Sequence, residues 1–423
     1  MEEALKIVRP AKFLENLYLP NYERNVFMVM PTAYALMGIE VENRRTLLGN
    51  KKIKKVFEDA GCMSVKNVIA ILIDSLGFEQ IPYSRILMRA RESGNLILLS
   101  SVFPTITSTV LTSIYTGVPP ECHGIVGFKI YIPEIGNVVD TLNMCTLDAR
   151  ERDALPSVGV NIKVFMWEQT VYENVSDDHL HVRLLESAIA RTGISKLISE
   201  DVKHLLGYHN MIDCFSTARE LLTRYQDRKI LMEIYTGLLD ELAHVYGPNS
   251  REYMLGLRYL EENLLRLAFE LDDRICENTA VLIFSDHGQV ELGNGEVVKL
   301  KREDFEEAKE FLLARPGKSG RIMHFYVKEE KVDEFRKWIE DKTGGKLVME
   351  FDRIFKRVYP YKKNKDAIKA RLGNLIGFFE MVIERDEEEI LPPRIVSSHG
   401  SLLLNELVVP LAFFRLSDLR TII

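Results

Sequence analysis

Three short apolar runs stand out in the hydrophobic pattern of the chain, and each predicts a strand. They cover residues 68–73, 230–235 and 280–284. The first and third are almost continuously apolar and rich in β-branched residues, which is typical of strands buried on both faces of a parallel sheet. Helical periodicity appears between the runs, at residues 86–92, 110–115, 216–225 and 251–271. Strands alternating with helices predict an α/β fold with a mainly parallel sheet sandwiched by helices.

Weaker patterning outside these runs divides the rest of the chain. Residues 301–390 alternate between helical and strand patterns, including an apolar strand at 375–382, and therefore predict a small α/β insert. The charged run at 385–389 is expected to be a solvated loop. The predicted units are an N-terminal segment packed on the core (1–65), the core itself (66–300 plus 391–423), a candidate cap within it (about 130–215), and the insert (301–390).

Acidic and imidazole side chains follow the apolar runs directly. Ligands of open α/β sheets bind outside the carboxyl ends of the strands, so these side chains are expected to lie close together. Asp240 and His244 are four residues apart and share one face if they lie on a helix. The complete set of candidate metal ligands is Asp74, Asp240, His244, Asp286, His287 and His399.

Three carboxylates and three imidazoles are enough for two three-ligand metal sites. Mixed oxygen and nitrogen ligation suits zinc, with manganese or iron as alternatives. Two divalent metal ions a few ångströms apart can clamp the attacking and leaving oxygens of phosphoryl transfer. Each pair alone has a simpler structural explanation: Asp240 and His244 as an ordinary pair at a helix N-terminus, and Asp286 as the cap of a turn.

A threonine-rich helix predicts the position of a nucleophile. Gly117 and the prolines after it end a helical pattern that begins after Pro104, so Thr107 and Ser108 are expected at the helix N-terminus. Free backbone N–H groups at a helix N-terminus stabilise the negative charge of a bound phosphate or of an alkoxide. The alternative is that Thr107 only caps the helix.

The composition of the chain indicates where the protein is located and which partners it binds. The 423 residues carry a net charge of −7, so the protein has no excess of positive charge that would attract nucleic acid non-specifically. The five cysteines contain no Cys-x-x-Cys pair, the N-terminus is acidic, and the apolar stretches are too short to span a bilayer. We therefore expect a cytoplasmic protein with a small phosphate-ester substrate, no nucleic-acid polymer and no membrane as partner. The oligomeric state is not predicted.

Four stretches of the sequence resemble the alkaline phosphatase superfamily, in particular the type I phosphodiesterase and nucleotide pyrophosphatase family. They are ILID at 71–74; FPTIT at 103–107, running on to TGVPPECHG at 116–124; DELAH at 240–244 with GP at 247–248; and SDHG at 285–288 with SHG at 398–400. The resemblance implies metal-dependent hydrolysis of phosphodiesters or nucleotide pyrophosphates through a phosphothreonine formed on Thr107. It also implies two ligand sets: Asp240, His244 and His399 for one metal, and Asp74, Asp286, His287 and the Thr107 oxygen for the other.

The chain departs from the family pattern next to the nucleophile. Many nucleotide pyrophosphatases have an asparagine three residues after the nucleophile, where this chain has Val110, and no arginine lies beside Thr107. A phosphomonoesterase or phosphomutase of the same superfamily is therefore an alternative, although the inserted domain of the phosphoglycerate mutases is not found. Sulfatases are disfavoured because no Cys-x-Pro-x-Arg context surrounds Thr107. A non-catalytic metal-binding scaffold is the alternative of another class.

The remaining histidines are given mainly structural interpretations. His123 is expected to be structural, and the cap histidines to be solvated, with one of them as a candidate substrate contact. His324 either reaches the site together with Arg321 or packs within an edge strand. The cap histidines are His179, His181, His204 and His209.

Overall fold

The apolar runs form buried strands in the computed structural model, which describes residues 1–11, 16–173, 179–293, 297–383 and 395–422. The predicted charged loop at 385–389 and the predicted boundary between residues 390 and 391 lie outside these ranges. The strands are β1 (Arg9–Pro10), β2 (Tyr18–Leu19), β3 (Asn67–Ile73), β4 (Leu96–Ser100), β5 (Lys129–Ile132), β6 (Asn137–Asp140), β7 (Cys145–Thr146), β8 (His179–Glu186), β9 (His204–Tyr208), β10 (Lys229–Thr236), β11 (Thr279–Phe284), β12 (Val290–Glu291), β13 (Val297–Leu300), β14 (Gly317–Ser319), β15 (Ile322–Phe325), β16 (Val348–Glu350), β17 (Leu375–Gly377), β18 (Glu380–Ile383), β19 (Ser397–Ser398) and β20 (Val408–Arg415).

Seventeen α-helices lie before and between the strands of the described ranges. The helices are α1 (Glu2–Leu5), α2 (Val29–Leu36), α3 (Lys51–Asp59), α4 (Arg85–Glu92), α5 (Thr107–Thr116), α6 (Pro120–His123), α7 (Ala154–Ser157), α8 (Gly193–Ile198), α9 (Met211–Arg224), α10 (Leu238–Tyr246), α11 (Arg251–Glu270), α12 (Asp273–Glu277), α13 (Arg302–Ala308), α14 (Val332–Thr343), α15 (Phe351–Val358), α16 (Lys365–Leu372) and α17 (Leu404–Leu407). Among the helices of the described ranges, none has the length and apolar character needed to cross a membrane.

A central sheet carries the strands that were predicted from the apolar runs. Over the described ranges it has seven strands in the order β4-β20-β11-β3-β10-β8-β9. Neighbours pair in parallel from β11 through β9, whereas β20 runs antiparallel to both β11 and β4. The predicted mainly parallel α/β sheet is confirmed. Every residue of β3 and β11 is buried, as expected for strands covered on both faces.

A second, antiparallel sheet joins two distant parts of the chain. Its order is β16-β17-β15-β14-β5-β6-β7 within the described ranges. It therefore combines strands of the predicted insert with strands from the region interpreted as a cap. The other strands of that region, β8 and β9, extend the central sheet. The predicted strand at 375–382 is two strands, β17 and β18, which pair with different partners. The domain boundaries themselves stay predictions.

The parallel arrangement determines where the candidate ligands lie. Strands β3, β10 and β11 are adjacent and in register, with Ile71 opposite both Ile234 and Ile283. Their carboxyl ends therefore lie at one edge of the sheet, and the acidic residues that follow them are brought together.

Candidate active site

His287 lies at the centre of the polar cluster at this edge. Its Nε2 atom is 3.1 Å from the Thr107 hydroxyl, 3.2 Å from Asp286 Oδ2 and 3.5 Å from Asp74 Oδ1. Its ring stacks on the ring of His399, with centroids 3.7 Å apart. The side chains that follow β3 and β11 therefore meet the first residue of α5 at one point.

Asp240 joins this group to the two other histidines. Its Oδ2 atom is 3.5 Å from His244 Nε2, and its Oδ1 atom is 3.6 Å from His399 Nε2. Asp240 and His244 lie on one face of α10, as their spacing predicted. The structure thus brings together all seven residues proposed from the sequence: Asp74, Thr107, Asp240, His244, Asp286, His287 and His399.

Two groups of side chains could each hold a cation. In each group the ligand atoms lie within 4.8 Å of one another, and His287 belongs to both. His244 belongs to neither group, although it reaches Asp240. The sequence-based division, in which His244 binds with Asp240 and His399, stays a prediction. The two groups are Asp74, Asp286 and His287, and Asp240, His287 and His399.

Unpaired carboxylate oxygens indicate that these residues fit metal ions. Asp74 Oδ1, Asp240 Oδ1 and Asp286 Oδ2 are buried and have no hydrogen-bond partner. An unpaired buried carboxylate is costly unless it is protonated or coordinates a metal. The free oxygens of Asp74 and Asp286 are also the atoms nearest to His287 Nε2. The donor set therefore suits divalent cations.

Burial shifts the ionisation of the cluster. Desolvation raises the pKa of Asp74, and the charges of Asp286 and Asp240 raise it further. Desolvation also raises the pKa of Asp286 to about 7 and lowers that of His287 to about 3. The pKa of the His399 imidazole is likewise held well below its usual range by burial. Neutral imidazoles keep a lone pair for a metal, and bound cations would favour the ionised carboxylates.

Thr107 does not act as a helix cap. The N-cap of α5 is Ile106, and no side chain caps the helix there, so Thr107 is its first helical residue. The Thr107 hydroxyl contacts His287 instead. The alternative interpretation of Thr107 as an N-cap is therefore wrong. Its neighbour Ser108 is engaged elsewhere, since its hydroxyl donates to the Gly127 carbonyl and accepts from Thr141.

A further set of contacts orients the candidate ligands, as outer contacts commonly do in metal sites. The Tyr235 hydroxyl donates to Asp74 Oδ2 at 2.6 Å. His399 Nδ1 is 2.7 Å from the Thr105 carbonyl. Sequence analysis missed both partners. Tyr235 lies next to the last residue of β10 and five residues before Asp240, and this position near a candidate ligand was a usable signal.

The other singled-out histidines lie away from the cluster or have partners of their own. His123 is buried and pairs with Ser113 at 2.8 Å, which agrees with a structural role. His324 pairs with Ser319 at 2.8 Å inside the second sheet. Arg321 reaches the site through its backbone, where its N–H donates to the His399 carbonyl.

The histidines of the candidate cap are spread over the outer strands of the central sheet. His181 contacts the buried Glu233 at 2.8 Å, and His179 begins the same strand, β8. His204 begins β9 and is exposed, and His209 follows that strand.

Val110 is fully buried in α5. Its apolar side chain has no hydrogen-bonding group, so it cannot take over the role of an asparagine.

Comparisons with known proteins agree with the fold. The family model of type I phosphodiesterase / nucleotide pyrophosphatase matches residues 68–386. No curated protein matches the chain. Among solved structures, murine ectonucleotide pyrophosphatase / phosphodiesterase 5, in an inactive form with AMP, is similar with a TM-score of 0.55 and 16% identity, over 84% of this chain and 92% of that one.

Two further solved structures share the fold. Phosphonoacetate hydrolase from Sinorhizobium meliloti 1021, in complex with phosphonoformate, is similar with a TM-score of 0.53 and 16% identity, over 83% of this chain and 93% of that one. Human ectonucleotide pyrophosphatase / phosphodiesterase 5 is similar with a TM-score of 0.53 and 14% identity, over 84% and 92%. The family model covers about three quarters of the sequence, and it agrees with the resemblance found in the motifs. The chain therefore belongs to the type I phosphodiesterase / nucleotide pyrophosphatase family, and this membership indicates a hydrolase that acts on phosphate esters.

Proposed function

We propose that the protein hydrolyses phosphodiesters or nucleotide pyrophosphates in two steps, with Thr107 as the nucleophile. The observation that carries the proposal is the position of the Thr107 hydroxyl. It lies at the N-terminus of α5, 3.1 Å from His287 Nε2 and beside a group of buried, unpaired carboxylate oxygens.

The proposed cofactors are two divalent metal ions, with zinc as the first choice and manganese or iron as alternatives. Bound cations would lower the pKa of the attacking hydroxyl and neutralise charge on the phosphoryl group. Asp74, Asp286 and His287 would hold one ion near Thr107. Asp240 and His399, together with His244 or the shared His287, would hold the other.

The bonds exchanged are the same for every substrate of this class. The Thr107 hydroxyl gives up its proton as its oxygen forms a bond to phosphorus, the phosphorus–oxygen bond to the leaving group breaks, and the leaving group departs with a proton as an alcohol or a phosphate. Water then gives up a proton and forms a new bond to phosphorus, the bond to Thr107 breaks, and the Thr107 oxygen regains a proton. The first backbone N–H groups of α5 have no acceptor within the helix. They can therefore stabilise negative charge on the phosphoryl group in both steps.

The substrate is proposed to be a small ester rather than a polymer. A net charge of −7 offers no extended basic surface for a nucleic acid. A preference for diesters over monoesters follows from the absence of an arginine beside Thr107. At the position where many family members have an asparagine that binds a phosphoryl oxygen, this chain has the buried Val110. The preference for diesters therefore has no support from a side chain at that position.

A substrate panel tests the proposal. Protein loaded with zinc or manganese is assayed with bis-(p-nitrophenyl) phosphate and with p-nitrophenyl phosphate, and a radiolabelled substrate traps the intermediate. We expect higher kcat/KM for the diester and label on Thr107 alone. A monoester kcat/KM at least tenfold higher, about 1.4 kcal/mol of transition-state preference, replaces the diesterase assignment by a phosphatase. Label on another residue contradicts the assignment of the nucleophile.

A further inference from the structure

Gln289 bridges two of the elements that carry candidate ligands, the loop after β3 and the helix α10. It follows the segment Asp286–Gly288 and is almost fully buried. Its Nε2 atom is 2.9 Å from His244 Nδ1, and its Oε1 atom accepts the Ser75 hydroxyl at 2.8 Å. The backbone N–H of Ser75 donates in turn to Asp286. Gln289 therefore connects the loop after β3 with the histidine on α10.

The contacts of His244 Nδ1 place opposite demands on its proton. The Ser397 carbonyl, 2.9 Å from Nδ1, can only accept, and so it requires a proton on Nδ1. An amide NH₂ of Gln289 at the same nitrogen requires a lone pair there instead. Nδ1 cannot meet both demands, because one ring nitrogen carries either a proton or an available lone pair.

A half-turn of the Gln289 amide removes this conflict. The amide oxygen then accepts from His244 Nδ1–H, alongside the Ser397 carbonyl, and the amide NH₂ donates to the Ser75 hydroxyl. The oxygen and nitrogen of an amide are assigned from the hydrogen-bond network, and here the fixed acceptor, a backbone carbonyl, determines the assignment. With the proton on Nδ1, the lone pair of His244 lies on Nε2, the atom 3.5 Å from Asp240 Oδ2.

We propose that Gln289 is a positioning residue, which rests on the proposed metal-dependent function. Its side-chain oxygen, anchored through Ser75, keeps the proton of His244 on Nδ1 and leaves Nε2 available to bind a metal together with Asp240. Outer contacts of this kind typically change metal affinity by about 10- to 100-fold when they are removed. Gln289 thereby makes His244 a ligand although His244 lies outside the two tight groups of ligand atoms.

Three variants separate positioning from packing. Gln289→Met keeps the length of the side chain but removes the acceptor, and we expect zinc at the His244 site to bind about tenfold more weakly or worse. Gln289→Glu keeps an acceptor toward His244, and the Ser75 hydroxyl can donate to its second oxygen, so this variant should retain zinc affinity within about threefold. Gln80→Met is the matched control, because Gln80 is an equally buried glutamine that bonds to Pro248 and Asn249 rather than to a candidate ligand. Affinities come from competition with a chromophoric chelator.

Nitrogen-15 NMR of histidine-labelled wild-type protein gives a readout that does not depend on activity. The His244 signals are assigned by their loss in His244→Gln. We expect the Nδ1–H tautomer at pH 8, both without metal and with zinc bound. An Nε2–H tautomer overturns the proposal, and so does a Gln289→Met protein that binds zinc as the wild type does. Wild-type protein that binds no zinc refutes the proposed function instead, and an Nε2–H tautomer in the metal-free protein still overturns the role of Gln289.

Discussion

The hydrogen bond from Tyr235 to Asp74 offers a direct test of how the strand ends support the site. Tyr235→Phe removes one hydroxyl, 2.6 Å from Asp74 Oδ2, and leaves the ring in place. A hydrogen bond to a charged group contributes about 1.5–3 kcal/mol. At about 1.4 kcal/mol for each factor of ten, its loss should weaken metal binding at the Asp74 site by about 10- to 100-fold. The Asp240 group does not contact Tyr235 directly, and its affinity should change by less than about threefold.

A matched variant isolates the effect on the ligand. Tyr253 is also fully buried, and its hydroxyl donates to the Ser75 carbonyl beside Asp74. Tyr253→Phe therefore costs a buried hydrogen bond near the same loop without touching a ligand. Stepwise zinc titration against a chromophoric competitor measures both sites in each variant. The reasoning is refuted if Tyr235→Phe binds both ions as the wild type does, or if Tyr253→Phe loses equal affinity.

The remaining predictions concern the nucleophile, the second ligand group and a buried acid. Thr107→Ala should bind metal nearly normally and lose about three or more orders of magnitude in kcat. The control Thr116→Ala, at the far end of α5, should lose little kcat. A near wild-type rate for Thr107→Ala contradicts the covalent mechanism. His399→Ala should lose one metal in elemental analysis before the other, and equal loss of both contradicts the division of ligands. Burial raises the pKa of Glu121 to about 7. The unfolded chain therefore loses this proton first as pH rises, and stability falls between about pH 4.5 and 7, by at most about 3 kcal/mol. Urea unfolding of Glu121→Gln should show a smaller decline from pH 5 to pH 8 than the wild type, whereas the exposed Glu151→Gln should match the wild type.

The elements closest to the site were the most predictable from the sequence. Strands β3 and β11 are buried on both faces, so their apolar runs are continuous and their ends are sharp. The spacing of Asp240 and His244 fixes their shared face on α10. The second sheet was not predictable in the same way. Its strands β14 and β5 are almost 190 residues apart in sequence and meet at a single paired position, Lys318 opposite Lys129, which no local pattern encodes.

The position of His399 shows why the site needs this long-range structure. His399 follows the short strand β19, which pairs with β12 just after Gln289. Its loop is held from the second sheet, because Arg321 donates a backbone N–H to the His399 carbonyl. It is also held from the segment before α5, where Thr105 accepts His399 Nδ1–H through its carbonyl and Gly400 N–H through its hydroxyl. Thr105 therefore connects the nucleophile helix to a ligand almost 300 residues away. Thr105→Ala keeps the carbonyl but loses the hydroxyl's bonds to Gly400 and Ser401, which hold the His399 loop. We therefore expect weaker zinc binding at the metal group of His399 in the competitive titration, together with slower diester turnover.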